Sequence, residues 1–96
     1  MNPRTFAQAF TVTPAVCRTE YPATGGNHIL HVSETESRAS RDGYIARSER
    51  AAYYITRDDR GRWSAQKIAN GVAENWYCRF DFPSRVTLLA ALATAS

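Results

Sequence analysis

The chain has 96 residues, of which 44% are hydrophobic and 22% charged, with a net charge of +3. This composition predicts a single folded domain over residues 1–96 and excludes a largely disordered chain. No apolar run reaches the ~18 residues of a membrane-spanning helix, and the first residues lack a signal-peptide pattern. We therefore expect a cytoplasmic protein that makes no contact with a membrane.

The first residues of the chain are ambiguous. Asn2-Pro3 can start a short helix over residues 3–9, in which Phe6 and Phe10 lie four apart. The alternative is an extended segment, which Pro14 would interrupt. In both cases we expect the two phenylalanines to contribute to the core.

A hairpin and one further short strand are predicted before residue 50. Residues 15–21 and 28–33 flank a centre rich in Pro and Gly, which is typical of two antiparallel strands joined by a loop. Residues 34–42 are polar and of mixed charge, which favours a loop, with a short helix as the alternative. Asp42-Gly43 then indicates a turn before a short strand at Tyr44-Ile45-Ala46.

A tight turn at Asp58-Asp59-Arg60-Gly61 sets the register of the central hairpin. Asp at its first position and Gly at its last predict a type I turn closed by a left-handed glycine. Counting outward from the turn, the predicted pairs are Arg57 with Trp63, Thr56 with Ser64, Ile55 with Ala65, Tyr54 with Gln66, and Tyr53 with Lys67. Alternation then directs Tyr53, Ile55, Trp63 and Ala65 to the core, and the other face outward.

A third strand follows a turn at Ala69-Asn70-Gly71. Its inward residues alternate strictly, which is the strongest strand pattern in the chain; they are Trp76, Cys78, Phe80 and Phe82. The outward residues between them include Tyr77 and Arg79. A meander of three antiparallel strands is the simplest connection.

The last segment predicts a helix. Pro83 ends the strand, Ser84 is placed to cap the helix, and Arg85 to Ala95 carries its apolar residues at helical spacing. We expect Val86, Leu88, Leu89 and Leu92 to face the sheet. The predicted fold is α+β: an antiparallel β-sheet of about five short strands packed on a C-terminal α-helix.

The opposite side of this helix carries no charge, which is unusual for a surface helix. Its residues are Thr87, Ala90, Ala91 and Thr94. Either the helix is short and mostly buried, or this stripe forms a homodimer interface or contacts another protein.

Catalytic and metal signatures are weak. His28 and His31 would point to opposite faces of a strand, and neither lies in a zinc-like spacing with Cys or acids. Cys78 is expected to be a buried free thiol, although a disulfide with Cys17 stays open. Asp58 is explained by the turn. The sequence therefore predicts no catalytic residue, no metal and no cofactor.

The outward face of the predicted sheet is the candidate binding surface. Its aromatic and polar residues lie beside arginines of the hairpin tip; the predicted partner-binding residues are Tyr54, Arg57, Arg60, Arg62, Gln66, Tyr77 and Arg79. Residues 38–62 contain seven arginines and four acidic residues, so this segment holds the whole excess of positive charge. Tyr and Arg are enriched in protein interfaces, and they also bind single-stranded nucleic acid.

These observations favour a small non-enzymatic binding protein: a regulator or inhibitor that docks on a larger protein or ribonucleoprotein. Small inhibitors carried by phages and mobile elements, anti-CRISPR proteins among them, are of this general type. The alternative is an RNA- or single-stranded-DNA-binding module that uses the aromatic and arginine-bearing face. A small enzyme of unknown class is the third hypothesis.

Overall fold

The computed structural model describes residues 9–74 and 78–95, and these form a mostly antiparallel β structure with one C-terminal helix. The elements are β1 (Thr11–Glu20), β2 (Ile29–Glu34), β3 (Gly43–Arg47), β4 (Ala52–Arg57), β5 (Trp63–Ala69), β6 (Val72–Ala73), β7 (Cys78–Phe82) and α1 (Arg85–Ala95). A short 3₁₀ helix, Arg38–Ser40, lies in the loop before β3.

Six of the strands close into a barrel, in the order β4-β3-β1-β2-β6-β5 with β5 pairing back to β4. Each neighbouring pair is antiparallel. The seventh strand, β7, pairs with the first half of β5, beside the two-residue strand β6. The predicted sheet of about five strands is therefore wrong in strand number and in being open, while its antiparallel character and terminal helix are confirmed.

The predicted register of the central hairpin is confirmed. β4 pairs with β5 so that Arg57 lies opposite Trp63, Ile55 opposite Ala65, and Tyr53 opposite Lys67. Gly61 has a φ of 80°, and its N–H donates to the Asp58 carbonyl oxygen at 3.0 Å. This is the expected type I turn closed by a left-handed glycine. The Asp58 carboxylate also accepts from the N–H groups of Arg60 and Arg62, both at 2.9 Å.

Alternate residues of β3, β4 and β5 contribute to two separate cores on opposite faces of the barrel wall. One core lies inside the barrel and draws residues from all six of its strands: Ala15, Cys17, Leu30, Val32, Ile45, Tyr54, Ile68 and Ala73. The other lies between the outer wall and α1, and its buried members are Phe10, Ala46, Tyr53, Ile55, Ala65, Leu88, Leu89 and Leu92. Trp63 packs against this outer core as predicted. The prediction that the opposite face of β4 meets solvent is wrong, because that face lines the barrel interior.

β1 continues through Pro14 although a break was expected there. The Pro14 carbonyl oxygen accepts from the Thr35 N–H at 3.0 Å, just beyond the end of β2. In an antiparallel ladder the N–H and C=O of one residue point to the same side. The missing N–H of Pro14 therefore falls where the ladder with β2 ends, a position that tolerates proline.

Gly43 begins β3 at a place where no side chain fits. A Cβ atom there would lie 2.7 Å from the Ile55 carbonyl oxygen and 2.9 Å from the Tyr54 ring. The absence of a side chain lets the start of β3 approach the end of β4 closely. This close approach fixes the position of the neighbouring residues, Asp42 and Tyr44.

The helix begins and ends where the sequence predicts. Ser84 Oγ accepts from the Thr87 N–H at 3.2 Å, which caps the first turn. Leu88, Leu89 and Leu92 are buried against the barrel wall. Val86 is 37% exposed, so its predicted inward position is wrong. It precedes Leu89 by three positions but lies too near the start of the helix to be covered.

Several predictions fall outside what the structure describes. Phe6, Trp76 and Tyr77 lie outside the described residues, as does most of the helix considered for residues 3–9. Phe10 is buried in the outer core, as expected.

The outer core predicts a clear difference between two helix positions. Leu92→Ala should lower the free energy of unfolding by about 2–5 kcal/mol, because Leu92 is 1% exposed and its loss leaves a cavity. Val86→Ala, in the same helix, should cost about 0.5 kcal/mol or less, because its site is already open to solvent. Urea denaturation of both variants measures the difference. Equal losses would contradict this packing of the helix.

Homodimerisation through the uncharged helix stripe stays a prediction. Thr87, Ala90 and Ala91 are half-buried within the chain itself, and Thr94 is exposed. Light scattering at high concentration should show a dimer, and Thr94→Glu should separate it by placing a charge in the interface. Circular dichroism checks that the variant keeps its fold. A strict monomer for the unmodified chain would contradict the prediction.

Candidate arginine–aromatic cleft

A cleft of about 470 Å³ opens at the end of the barrel where β3 begins, β4 ends and β5 begins. We call it the arginine–aromatic cleft. It is lined by Arg38, Ala39, Arg41, Asp42, Gly43, Tyr44, Arg57 and Trp63. The lining therefore combines three guanidinium groups, one carboxylate and two aromatic rings.

Local structure explains how residues distant in sequence meet there. Tyr44 lies on β3 opposite Ile55, and Arg57 on β4 lies opposite Trp63 on β5. Because Tyr44 and Trp63 belong to the same outer face, their rings approach to 6.1 Å between centroids, tilted by 38°. The 3₁₀ helix before β3 brings Arg38 to the same place.

Two cations lie over the Tyr44 ring. The Arg41 guanidinium carbon is 5.3 Å from the ring centroid, and that of Arg85, at the start of α1, is 5.6 Å away. Both distances suit a cation–π contact, typically about 0.5–1 kcal/mol at an exposed site. Arg41 also donates to the Arg38 carbonyl oxygen at 2.6 Å, which holds its side chain against the loop. The cleft is thus electropositive and partly preorganised.

Asp42 connects the cleft with the barrel interior. One of its carboxylate oxygens, Oδ2, accepts from the Cys17 N–H at 2.7 Å, and its own N–H donates to the Ala15 carbonyl oxygen at 2.8 Å. Burial, with a contribution from the Asp42 charge, raises the pKa of the Cys17 thiol. Burial also raises the pKa of Tyr54 to about 12, with contributions from Cys17 and Asp42. The thiol therefore stays protonated at neutral pH, which is the unreactive state.

The predicted partner-binding residues do not form one surface. Tyr54 is 6% exposed and lies inside the barrel, so its predicted exposure is wrong. Tyr54 is buried because the sheet closes into a barrel, which places the face that was expected to be solvent-exposed in the barrel interior. Gln66 is half-buried on the same face, and its side-chain nitrogen donates to the Glu74 carbonyl oxygen at 3.1 Å.

The arginines of the predicted surface separate into two places. Arg57 lines the cleft, whereas Arg60 and Arg62 lie in the turn between β4 and β5. Arg79 is part of β7, but its side chain lies outside the described part of the chain, as do the side chains of Cys78 and Phe80.

Sequence reasoning missed most of the cleft. The sequence predicts Arg38, Arg41 and Asp42 only as part of a polar loop. It predicts Tyr44 only as part of a strand and Trp63 only as a core residue. The concentration of arginine between residues 38 and 62 was visible. What the sequence did not show was that the pairing of β3 with β4 brings this loop against the tip of the central hairpin.

The two histidines have separate environments. His31 Nε2 lies 2.7 Å from Glu20 Oε1, and the His28 ring meets the Tyr21 ring edge-on at 4.3 Å. Cys17 is a free thiol, so the alternative of a disulfide with Cys78 is wrong.

The raised pKa of Tyr54 predicts a loss of stability at high pH. A phenol whose pKa is higher in the folded than in the unfolded state stabilises the fold below about pH 10. That contribution, on the order of 2 kcal/mol, is lost as the pH rises through 10 toward 12. Tyr54→Phe should therefore lose less unfolding free energy over this interval than the unmodified chain.

The matched control is Tyr21→Phe, because Tyr21 is 70% exposed. This variant should follow the pH dependence of the unmodified chain. Denaturant titrations at pH 9 to 12 measure all three proteins, and the same slope in Tyr54→Phe as in the unmodified chain would contradict the assignment.

The helix of the described residues has 11 residues, which is too short to cross a bilayer. Comparison of the chain with protein-family models, with curated proteins and with solved structures finds no match.

Proposed function

We propose that the protein is a non-enzymatic regulator that binds single-stranded nucleic acid, free or within a ribonucleoprotein, through the arginine–aromatic cleft. The observation that carries this proposal is the placement of three arginines around two neighbouring aromatic rings in one cleft.

The charge of the cleft favours an anionic partner. Arg38, Arg41 and Arg57 face one carboxylate, Asp42, and Arg85 stands at the edge over Tyr44. Guanidinium groups bind phosphate oxygens through two parallel hydrogen bonds, and they are weakly hydrated, so removing their water costs little free energy. The cleft thus holds much of the net charge of +3 carried by the whole chain.

The rings favour a single strand over a duplex. Bases stack on aromatic side chains only when they are unpaired, and each stacked base contributes about 1–3 kcal/mol. Trp63 lines the concave cleft beside the loop before β3, and its half-buried ring is the one offered to an unpaired base, because Arg41 and Arg85 lie over the Tyr44 ring. A duplex presents its phosphates on a convex surface, which fits a cleft of this size poorly.

The cleft offers fixed groups that can hold a ligand in place. Asp42, the acidic group of the cleft, is fixed by the Cys17 N–H. A regulator can act by binding its target alone, and the arginines and aromatic rings of the cleft supply contacts for such binding.

The test is fluorescence anisotropy with a labelled RNA of mixed sequence, about 12 nucleotides long, titrated at several salt concentrations. Arg57→Ala should weaken binding about tenfold at low salt, the value of one charge-assisted hydrogen bond. It should also reduce the slope of log affinity against log salt by about 0.7 for each phosphate that the variant no longer neutralises. Arg18→Ala is the matched control, because Arg18 is exposed on β1 and outside the cleft lining.

Three outcomes would overturn the proposal. The first is that an oligoglutamate peptide of equal charge binds as tightly as the RNA, which would indicate an acidic protein surface as the partner. The second is equal affinity for the corresponding duplex. The third is that Arg18→Ala weakens binding as much as Arg57→Ala.

A further inference from the structure

We infer that the arginine–aromatic cleft selects guanine among the four bases, an inference that rests on the proposed function. The observation behind it is the position of Asp42, a carboxylate, within a cleft otherwise suited to anions. A negative charge in a phosphate site lowers affinity for every phosphate alike. Besides accepting from the Cys17 N–H, the carboxylate is favourable for ligand binding only where the ligand presents hydrogen-bond donors.

Asp42 is held in place by hydrogen bonds that leave its Oδ1 able to accept from a ligand. Its Oδ2 accepts from the Cys17 N–H at 2.7 Å, and its backbone N–H is bonded to the Ala15 carbonyl oxygen. Within the described part of the chain, these bonds engage Oδ2 and the backbone but not Oδ1. Each carboxylate oxygen accepts about two hydrogen bonds. The group therefore retains acceptor sites on a rigid support.

Guanine matches the three kinds of group in the cleft. Its O6 and N7 are acceptors, and arginine binds this pair through two hydrogen bonds. Its N1–H and N2 amino groups are adjacent donors, which suit the two oxygens of a carboxylate. Its purine ring supplies a large face for stacking against Trp63.

The other bases satisfy fewer of these groups. Adenine and cytosine each offer a single exocyclic amino group as donor, and uracil offers one ring N–H. Each would form fewer hydrogen bonds with the Asp42 carboxylate than guanine does, so the attraction to this negative charge would be weaker. Inosine keeps O6, N7 and N1–H but lacks the amino group, so its affinity should lie between those of guanine and adenine.

The experiment compares oligouridine probes that differ at one central position, which is G, inosine, A, C or U, by fluorescence anisotropy. The unmodified protein should bind the G probe about tenfold more tightly than the A, C and U probes, with inosine between. Asp42→Asn keeps an oxygen for the Cys17 N–H but replaces the other oxygen with an amide donor. It should remove the G preference while raising affinity for the U probe, because a negative charge is removed.

Asp59→Asn is the matched control. Asp59 is an exposed carboxylate in the β4–β5 turn and outside the cleft lining, so this variant should leave the order of the probes unchanged. Thermal unfolding checks that each variant is folded. The inosine comparison needs no variant, so the inference stays testable if Asp42→Asn fails to fold.

The outcomes separate this inference from the proposed function. Equal affinity for all five probes, or tightest binding of the C probe, would overturn guanine selection and leave single-strand binding intact. A G preference that survives in folded Asp42→Asn would also overturn it. Absence of binding to every probe would overturn the proposed function as well.

Discussion

Closure of the barrel by the two-residue strand β6 is the constraint on which the rest of the structure depends. Val72 and Ala73 pair with β2 on one side and with the end of β5 on the other. The Asn70-Gly71 turn places them there, and both of its residues have positive φ. The Gly71 carbonyl oxygen also accepts from the Val32 N–H at 2.9 Å. In an open sheet, one face of these strands would be exposed to solvent. In the closed barrel that face points inward and forms a second core.

This closure explains which parts of the fold were predictable from sequence. Features set by neighbouring residues were correct: the Gly61 turn, the pairing of Ile55 with Ala65, the Ser84 cap and the bounds of α1. The same alternation that placed Tyr53 in a core also placed Tyr54 on the other face. Whether that other face meets water depends on pairing between strands far apart in the chain, which local patterns do not report.

The candidate site likewise combines residues whose positions follow from local sequence with residues placed by pairing between distant strands. Arg57 was predicted as a binding residue because it lies beside a turn that the sequence specifies. Arg38 and Arg41 belong to a loop whose destination is decided by the pairing of β3 with β1 and β4. Their charge was apparent in the sequence, but their meeting with Trp63 was not. The cleft is therefore a product of tertiary structure, assembled from segments with different local signatures.

The close contact at Gly43 implies that variation around the cleft is unevenly permitted. The arginines of the cleft are exposed. Substitutions that change their number or position would therefore change the electrostatic attraction to an anionic ligand gradually. Gly43 separates Asp42 from Tyr44, and a methyl group there would collide with the backbone of β4 at Ile55. Related chains that keep this cleft should therefore keep a glycine at the position of Gly43, although this residue contacts no ligand. The loop before it should vary more, and an aromatic residue should follow it on the strand.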